Sequence, residues 1–317
     1  MDLVDFDPKK NVSKLDYFLG NVKQLITVRS VIKNWQDVLL FRLGFKKPGF
    51  IIEFRNGLKY EINTPEEYFR LWQKEPVKRI FYKRAGLDRK IAIDKRKKQI
   101  KFSFLNKQIT FCFDSNKQLH NTIGLIEENF LAEQYAWLDV KDKEVVDIGA
   151  NIGDTAIYFA LKGAKHVYAF EPYPYSYNLA LKNIKLNRLQ DKITLLNEGC
   201  SGEKGIIKIE EKYKNMGNTA LKEFNKGKEI KLTTLGEIIK RFNLNSDSVI
   251  KIDCEGCEYA VLLKAKEADL RRFKQMQIEY HKGYLNLKKK LEKAGFSVTK
   301  TISNTSLGLI YAIRKDL

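Results

Sequence analysis

From residue 143 onward, short apolar runs alternate with stretches of helical periodicity, and no other feature of the chain restricts its fold as strongly. The runs cover residues 144–148, 166–170, 193–197, 248–253 and 274–280, each the length of a strand. Strand, helix and strand in succession imply right-handed crossovers and a parallel sheet covered on both faces. The last two runs, 296–303 and 308–314, are separated by a short Asn-Thr-Ser turn. That is too short for a parallel crossover, so the sheet is expected to end in an antiparallel strand pair.

The upstream third has a different pattern. Ile32, Trp35, Val38, Leu39 and Leu43 fall near helical spacing, which predicts a helix over 31–43 stopped by Gly44. Alternation on either side of Asn56-Gly57 predicts a tight hairpin with a type I′ turn. Thr64-Pro65-Glu66-Glu67 carries a capping hydroxyl, an N-terminal proline and a glutamate that can reach back, which predicts a short helix through Trp72. Alternation at Ile91/Ile93, Ile100/Phe102/Phe104 and Ile109/Phe111/Phe113 predicts further antiparallel strands. A length of 317 residues suits about two domains. The expected division is a small α+β region over 1–120, shaping or covering an acceptor site, and an α/β domain over 121–317.

Composition removes several classes. No window approaches the roughly 18 consecutive apolar residues of a membrane span, and the first residues carry no apolar signal core. The expected location is therefore the cytoplasm. Four cysteines are too few for a disulfide scaffold at this length, and three histidines leave little for a histidine-rich metal centre, so no metal is expected. Lys plus Arg number 58 against 39 Asp plus Glu, a net charge of +19 that attracts polyanions whatever the fold. The densest basic stretch runs over 83–101, with Lys83, Arg84, Arg89, Lys90, Lys95, Arg96, Lys97 and Lys98 beside Phe81 and Tyr82. It suits nucleic acid, or equally the wet face of a hairpin, and the solvated face is the preferred reading.

The chemistry concentrates in Val145-Val146-Asp147-Ile148-Gly149-Ala150-Asn151-Ile152-Gly153-Asp154-Thr155, a buried strand entering a glycine-bearing turn and then a helix. Ligands of open α/β sheets bind at this carboxyl edge. Gly149 and Gly153 allow close backbone approach, and Asp147 can accept hydrogen bonds from a cationic amino group. The spacing departs from G-x-G-x-x-G, because Asn151 stands where a second glycine would seat a pyrophosphate. A nucleoside without phosphates fits better. About twenty residues on, the next strand ends in Phe170-Glu171-Pro172, which places a carboxylate to accept both ribose hydroxyls.

These segments, together with Lys251-Ile252-Asp253-Cys254-Glu255-Gly256-Cys257-Glu258, resemble the FkbM-type family of S-adenosylmethionine-dependent methyltransferases over about residues 120–315. The resemblance implies a seven-stranded Rossmann-like methyltransferase sheet, S-adenosylmethionine as donor, and usually O-methylation of sugars or secondary metabolites. It implies that Asp147 and the loop through Gly149, Asn151 and Gly153 hold the methionine end and Glu171 the ribose. Pro172 with Gly199-Cys200 would then surround the adenine. Relatives usually carry small apolar residues where Cys254 and Cys257 stand. An acidic residue near the donor is often found where Glu133 stands here.

Asp253, Glu255 and Glu258 sit where the fourth strand meets the expected substrate cleft, placed to orient a hydroxyl, take its proton or hold a divalent ion. Glu279 and His281, two apart at the end of the fifth strand, share a face, and an imidazole titrating near neutrality suits general-base work. Asp253, His281 and Glu255 are the candidate catalytic residues. Cys254 and Cys257 are expected to be small buried thiols, since a structural zinc site wants four ligands and no second pair exists. The leading expectation is a methyltransferase acting on a hydroxyl of a sugar, glycan or small metabolite. An RNA methyltransferase docking its substrate on the basic region ranks second, and a non-catalytic nucleoside-binding module third. The pattern does not define an oligomeric state.

Overall fold

The structure is a computed structural model that describes residues 29–42, 44–64, 67–68, 71, 77, 91–211, 213, 223–301 and 307–315. The described residues divide into two compact units, with the boundary between Ile91 and Ala92.

In the first unit, helix α1 (Trp35–Arg42) precedes a hairpin of β1 (Phe50–Glu53) and β2 (Lys59–Ile62). The helix starts later than periodicity predicts because Ile32 is drawn into a β-bridge with Phe54. Asn34 then ties the helix start to β1, donating to Ile51 O (2.7 Å) and accepting from Glu53 N (2.9 Å). Gly44 ends the helix with positive φ, donating to Phe41 O, as expected. The hairpin forms around Asn56-Gly57, but its turn is not type I′. Only Gly57 has positive φ, and Phe54 pairs with Leu58 across a three-residue loop. Burying Phe54 beside Ile32 and Ile52 fixes this wider register, and Gly57 supplies the left-handed residue that closes such a loop. Thr64 caps as expected, its hydroxyl accepting from Glu67 N (3.2 Å), while Glu67 accepts from Asn63 N (2.7 Å). Pro65, Trp72, Phe81, Tyr82, Lys83, Arg84, Arg89 and Lys90 lie outside the described residues.

The second unit begins with a three-stranded sheet of β3 (Ile91–Asp94), β4 (Gln99–Phe104) and β5 (Lys107–Cys112). Leu105 and Asn106, both at positive φ, make the two-residue turn between β4 and β5. Lys95, Arg96, Lys97 and Lys98 form the exposed β3–β4 turn. Helix α2 (Asn116–Ile126) is capped by Ser115, whose hydroxyl accepts from Gln118 N, and widens into a π-helical turn over Glu127–Leu131. Strands β6 (Glu144–Ile148), β7 (His166–Phe170) and β8 (Ile193–Leu196) follow, with helices α3 (Asp154–Leu161) and α4 (Pro174–Leu186) between them. Next come β9 (Glu198–Cys200), β10 (Gly205–Ile209), β11 (Lys228–Thr233) and helix α5 (Leu235–Phe242). The chain closes with β12 (Ser248–Ile252), α6 (Cys257–Lys264), α7 (Glu267–Leu270), β13 (Phe273–Tyr280), α8 (Leu285–Lys293), β14 (Phe296–Lys300) and β15 (Gly308–Arg314).

Seven strands form the central sheet in the order β14-β15-β13-β12-β6-β7-β8. The pairs among β13, β12, β6, β7 and β8 are parallel, and β15 runs antiparallel between β13 and β14. Every residue of β6 and β12 is buried, as the central strands of a sheet covered on both faces must be. The mostly parallel sheet and its antiparallel end agree with the sequence pattern.

Two features depart from it. The expected division near residue 120 is not where the contacts part, because β3–β5 belongs with the α/β sheet. Asn183 of α4 and Asn187 at its C-terminal cap hold β5 through Cys112 N (2.8 Å) and Thr110 N (2.9 Å), satisfying strand groups that would otherwise lack partners. The second departure is the small sheet β10-β11-β9, which buries Ile207, Ile209, Ile230 and Leu232 against Tyr173. Among the described residues no helix is long and apolar enough to cross a membrane.

Candidate functional site

Strand order reverses between β6 and β12: β7 leaves β6 on one side and β13 leaves β12 on the other. A crevice opens at the carboxyl ends of the strands at such a switch point. Here it is a cavity of about 430 Å³. The β6–α3 loop forms its floor, with Gly149, Asn151 and Gly153 all at positive φ. Gly149 is irreplaceable on two counts: its φ is +83°, and a Cβ there would collide with the carbonyl oxygen of Asp253.

Glu171 emerges from β7 into this floor and is buried. Its carboxyl accepts from Asn151 N (2.8 Å) through one oxygen and from Tyr173 N (2.9 Å) through the other. Burial pushes its pKa up to about 8, against the pull of those two amide bonds. Each oxygen keeps a lone pair for a hydroxyl donor on the cavity side. Pro172, Phe170, Tyr173 and Cys200 extend the wall beside it.

Asp147 does not reach the cavity wall and is fully buried behind it. Lys251 stands directly across the β6–β12 register and pairs with Asp147 at 3.1 Å, while Thr155 donates to it at 2.6 Å. The same ammonium donates to Gly149 O (2.7 Å) and lies 4.0 Å from Asp253. The charge expected to meet a ligand's amino group is thus already neutralised inside the sheet. Asp147 instead fixes Lys251, and through it the Gly149 loop. Gly153 serves packing, seating the start of α3 3.2 Å from Ala180 for any Cβ it might carry. Gly199 is paired in β9 and also stands off the wall, although Cys200 beside it lines the cavity. Glu133 likewise points elsewhere, accepting from Tyr158 (3.0 Å) and Lys162 (2.9 Å).

The opposite wall brings Asp253, Glu255 and His281 together, with Glu279 and Glu128. Asp253 accepts from Tyr135 Oη (3.1 Å). His281 is gripped on both nitrogens: Nδ1 lies 3.0 Å from Glu258 and Nε2 3.3 Å from Glu255. Burial works against its charge, but the Glu258 bond and the Glu258, Glu255 and Asp253 charges outweigh it, raising the pKa to about 9. This corrects the general-base reading of His281, because a ring already protonated at neutral pH cannot take a proton. Glu258 is fully buried and also accepts from His281 N and Gly256 N, so it positions the loop rather than facing a ligand.

Burial and the crowding of carboxylates raise the remaining acids. Glu255 and Glu128 are pushed up to about 7, and Glu279 to about 9, in each case by burial first and then chiefly by Asp253. Asp154, at the start of α3, rises to about 7 by burial. It accepts from Asn129 at 2.6 Å, yet Asp154 Oδ1 and Asn129 Oδ1 have no hydrogen-bond partner and both residues line the cavity. Glu128 lines this space and is exposed. Sequence reasoning passed over Glu128, Asn129 and Tyr135, whose approach depends on the π-helical turn. One ligand atom each from Asp253, Glu279 and His281 lies within 4.8 Å of the others, a spacing a divalent cation can span. A final correction concerns Cys254 and Cys257, expected as free thiols: they are joined in a disulfide.

Six carboxyl-bearing residues face the cavity against Lys251 and His281. A crevice at the switch point of this strand order belongs to an α/β fold of the Rossmann-like methyltransferase type. Residues 147–298, just under half of the chain, match the model of the methyltransferase FkbM domain, which supports an enzyme of the S-adenosylmethionine-dependent methyltransferase type. It is 30% identical over 150 residues to the uncharacterized protein 158B of Sulfolobus islandicus rod-shaped virus 1, covering 46% of this chain and 66% of that one. It is 46% identical over 54 residues to the ribosomal protein L11 methyltransferase of Carboxydothermus hydrogenoformans, 17% of this chain and 18% of that enzyme. The chain thus spans less than two thirds of either curated relative. Among solved structures, TrmK of M. capricolum in complex with S-adenosyl-homocysteine matches at 16% identity and a TM-score of 0.39, over 59% of this chain and 68% of that one.

Proposed function

We propose that this chain methylates a hydroxyl group of a sugar, glycan or small metabolite, using S-adenosylmethionine as donor. The observation that carries the donor assignment is Glu171, a buried carboxyl with one free lone pair on each oxygen, anchored to the loop that forms the cavity floor. The donor set fits the cofactor in two further ways. Asp154 and Asn129 hold unpartnered acceptors on the wall, and carboxyls raised toward neutrality can ionise when a cationic ligand arrives. Glu171 would hold the ribose and Asn129 with Asp154 the methionine end, while Pro172, Tyr173 and Cys200 would flank the adenine.

When bound, the cofactor supplies an activated sulfonium methyl group, so the protein's task is positioning and proton removal. Glu255 is suited to the proton. Its carboxyl, raised to about 7, is ionised in a useful fraction at neutral pH and holds a proton well enough to accept one from a hydroxyl. Imidazolium His281, locked by Glu258, holds Glu255 in place, and Asp253 is set against Tyr135 to orient the acceptor. Labelled donor incubated with fractionated small molecules, glycans and RNA tests the acceptor class. Label is expected in the glycan or small-molecule fraction. Label confined to RNA would replace this acceptor reading, and donor binding without label in any fraction would favour a binding module.

A further inference from the structure

We propose that Cys254 and Cys257 are a thiol–disulfide exchange site in the cavity wall, worked by a dithiol reductant and its disulfide form. Their state would set the order of the loop that carries Asp253 and Glu255. Its effect on the donor rests on the reading of this cavity as the donor site. The two cysteines are bridged, and both line the cavity with the acidic residues between and beside them. The bridge spans Glu255 at φ +56° and Gly256 at φ +117°, a left-handed pair of which Glu255 is the strained member. The same loop is bound on every side to the site: Asp253 to Tyr135, Glu255 to His281, and Gly256 N to Glu258.

The two sulfurs differ in a way that gives exchange a direction. Cys254 is half-buried, while Cys257 is buried at the first position of α6. A thiolate from the reductant attacks Cys254 Sγ, and the S–S bond breaks toward Cys257. That sulfur leaves as a thiolate at the first position of α6, where the helix dipole favours negative charge. The reductant's second thiol then attacks its own sulfur in the mixed disulfide and releases Cys254. Two protons complete the protein's two thiols, and the reductant departs as a disulfide. Cys200 takes no part: it is fully buried, burial pushes its thiol up, and it stays protonated.

The test uses the full chain in buffers of graded reduced-to-oxidised dithiothreitol, with alkylation mapped by peptide mass. Hydrogen exchange over the peptide spanning 253–258 and calorimetric binding of S-adenosylhomocysteine are read in the same samples. Cys254 and Cys257 are expected to become alkylated together. Exchange at the loop should rise on reduction, and the dissociation constant should increase about tenfold as positioning is lost. Cys254→Ala should show the weak value in every buffer, while Cys112→Ser should respond as the parent does. Alkylation of both cysteines without reductant, or loop exchange and binding indifferent to the buffer, overturns the proposal. Loop protection that follows oxidation in a protein that binds no S-adenosylhomocysteine in either state supports the exchange site and overturns the donor reading instead.

Discussion

The cavity wall and the β3–β4 turn are both densely charged, and they use charge in opposite ways. Lys95, Arg96, Lys97 and Lys98 sit together in water, where repulsion is screened, and Lys98 donates to Asp114 O (3.3 Å). Asp154 and Glu171 are buried, Glu128, Glu255 and Glu279 crowd the same cavity, and desolvation lifts every one of the five toward or past neutrality. A chain of net charge +19 thus surrounds its site with acid. Global charge describes how the molecule meets other solutes at a distance, and the local field decides what enters the cavity.

The sharpest contrast between the regions is in catalysis. Glu255→Gln should lower turnover about 100-fold or more and leave S-adenosylhomocysteine affinity near that of the parent. Full turnover in that variant would remove Glu255 as base. Replacing Arg96, Lys97 and Lys98 together with Ala should leave turnover within about twofold, since an exposed turn touches no reacting atom. Loss of turnover in the triple variant, with donor binding kept, would transfer the acceptor to RNA.

Next in size is Glu171→Ala, expected to weaken donor binding by about 1–3 kcal/mol, because buried hydroxyls would lose their acceptor. The pH profile sharpens the same wall. Turnover should rise as Glu255 loses its proton through about pH 7 and fall as His281 loses its own through about pH 9. In Glu255→Gln the lower limb should vanish. The stability effect of His281 has the matching sign. Its folded pKa of about 9 lies above the ordinary 6.5, so its contribution is complete below pH 6.5 and disappears as pH rises through 9. The difference in Tm between the parent and His281→Asn should therefore shrink between pH 6 and pH 9.5. The smallest effect expected is that of a chelator. Both nitrogens of His281 are held by carboxylates, so chelation should change turnover less than about twofold. Activity recovered only with a divalent cation would assign Asp253, Glu279 and His281 to a metal.

The legible parts of the molecule were those written in local pattern. The β6 and β12 runs announce a buried sheet, and the spacing from the Gly149 loop to Glu171 announces the loop and carboxyl that meet at the cavity floor. What escaped depends on partners far along the chain. Nothing local shows that Asp147 faces Lys251, since only the register of β6 on β12 joins residues 104 apart. His281 reads as a neutral imidazole until Glu255 and Glu258 close on its two nitrogens. The hairpin turns make the same point in miniature. Asn56-Gly57 carries the dipeptide for a two-residue turn, yet burial of Phe54 imposes a wider loop, and the two-residue turn falls at Leu105-Asn106 because the β4–β5 register requires it. Glu128 entered the site through a π-helical turn that no periodicity marks.

The central claim is that this acidic crevice takes a cationic nucleoside and refuses a pyrophosphate, and calorimetry with S-adenosylmethionine, S-adenosylhomocysteine and NAD tests it most directly. The first two should bind and NAD should not. Glu171 holds its proton up to about pH 8 in the free protein, and hydroxyl donors favour its ionised form, so binding at pH 7 should release a proton. The binding enthalpy should then vary with the ionisation enthalpy of the buffer, and the variation should disappear in Glu171→Gln. Binding of NAD as tight as that of S-adenosylhomocysteine, or donor binding with no proton released, would contradict the account.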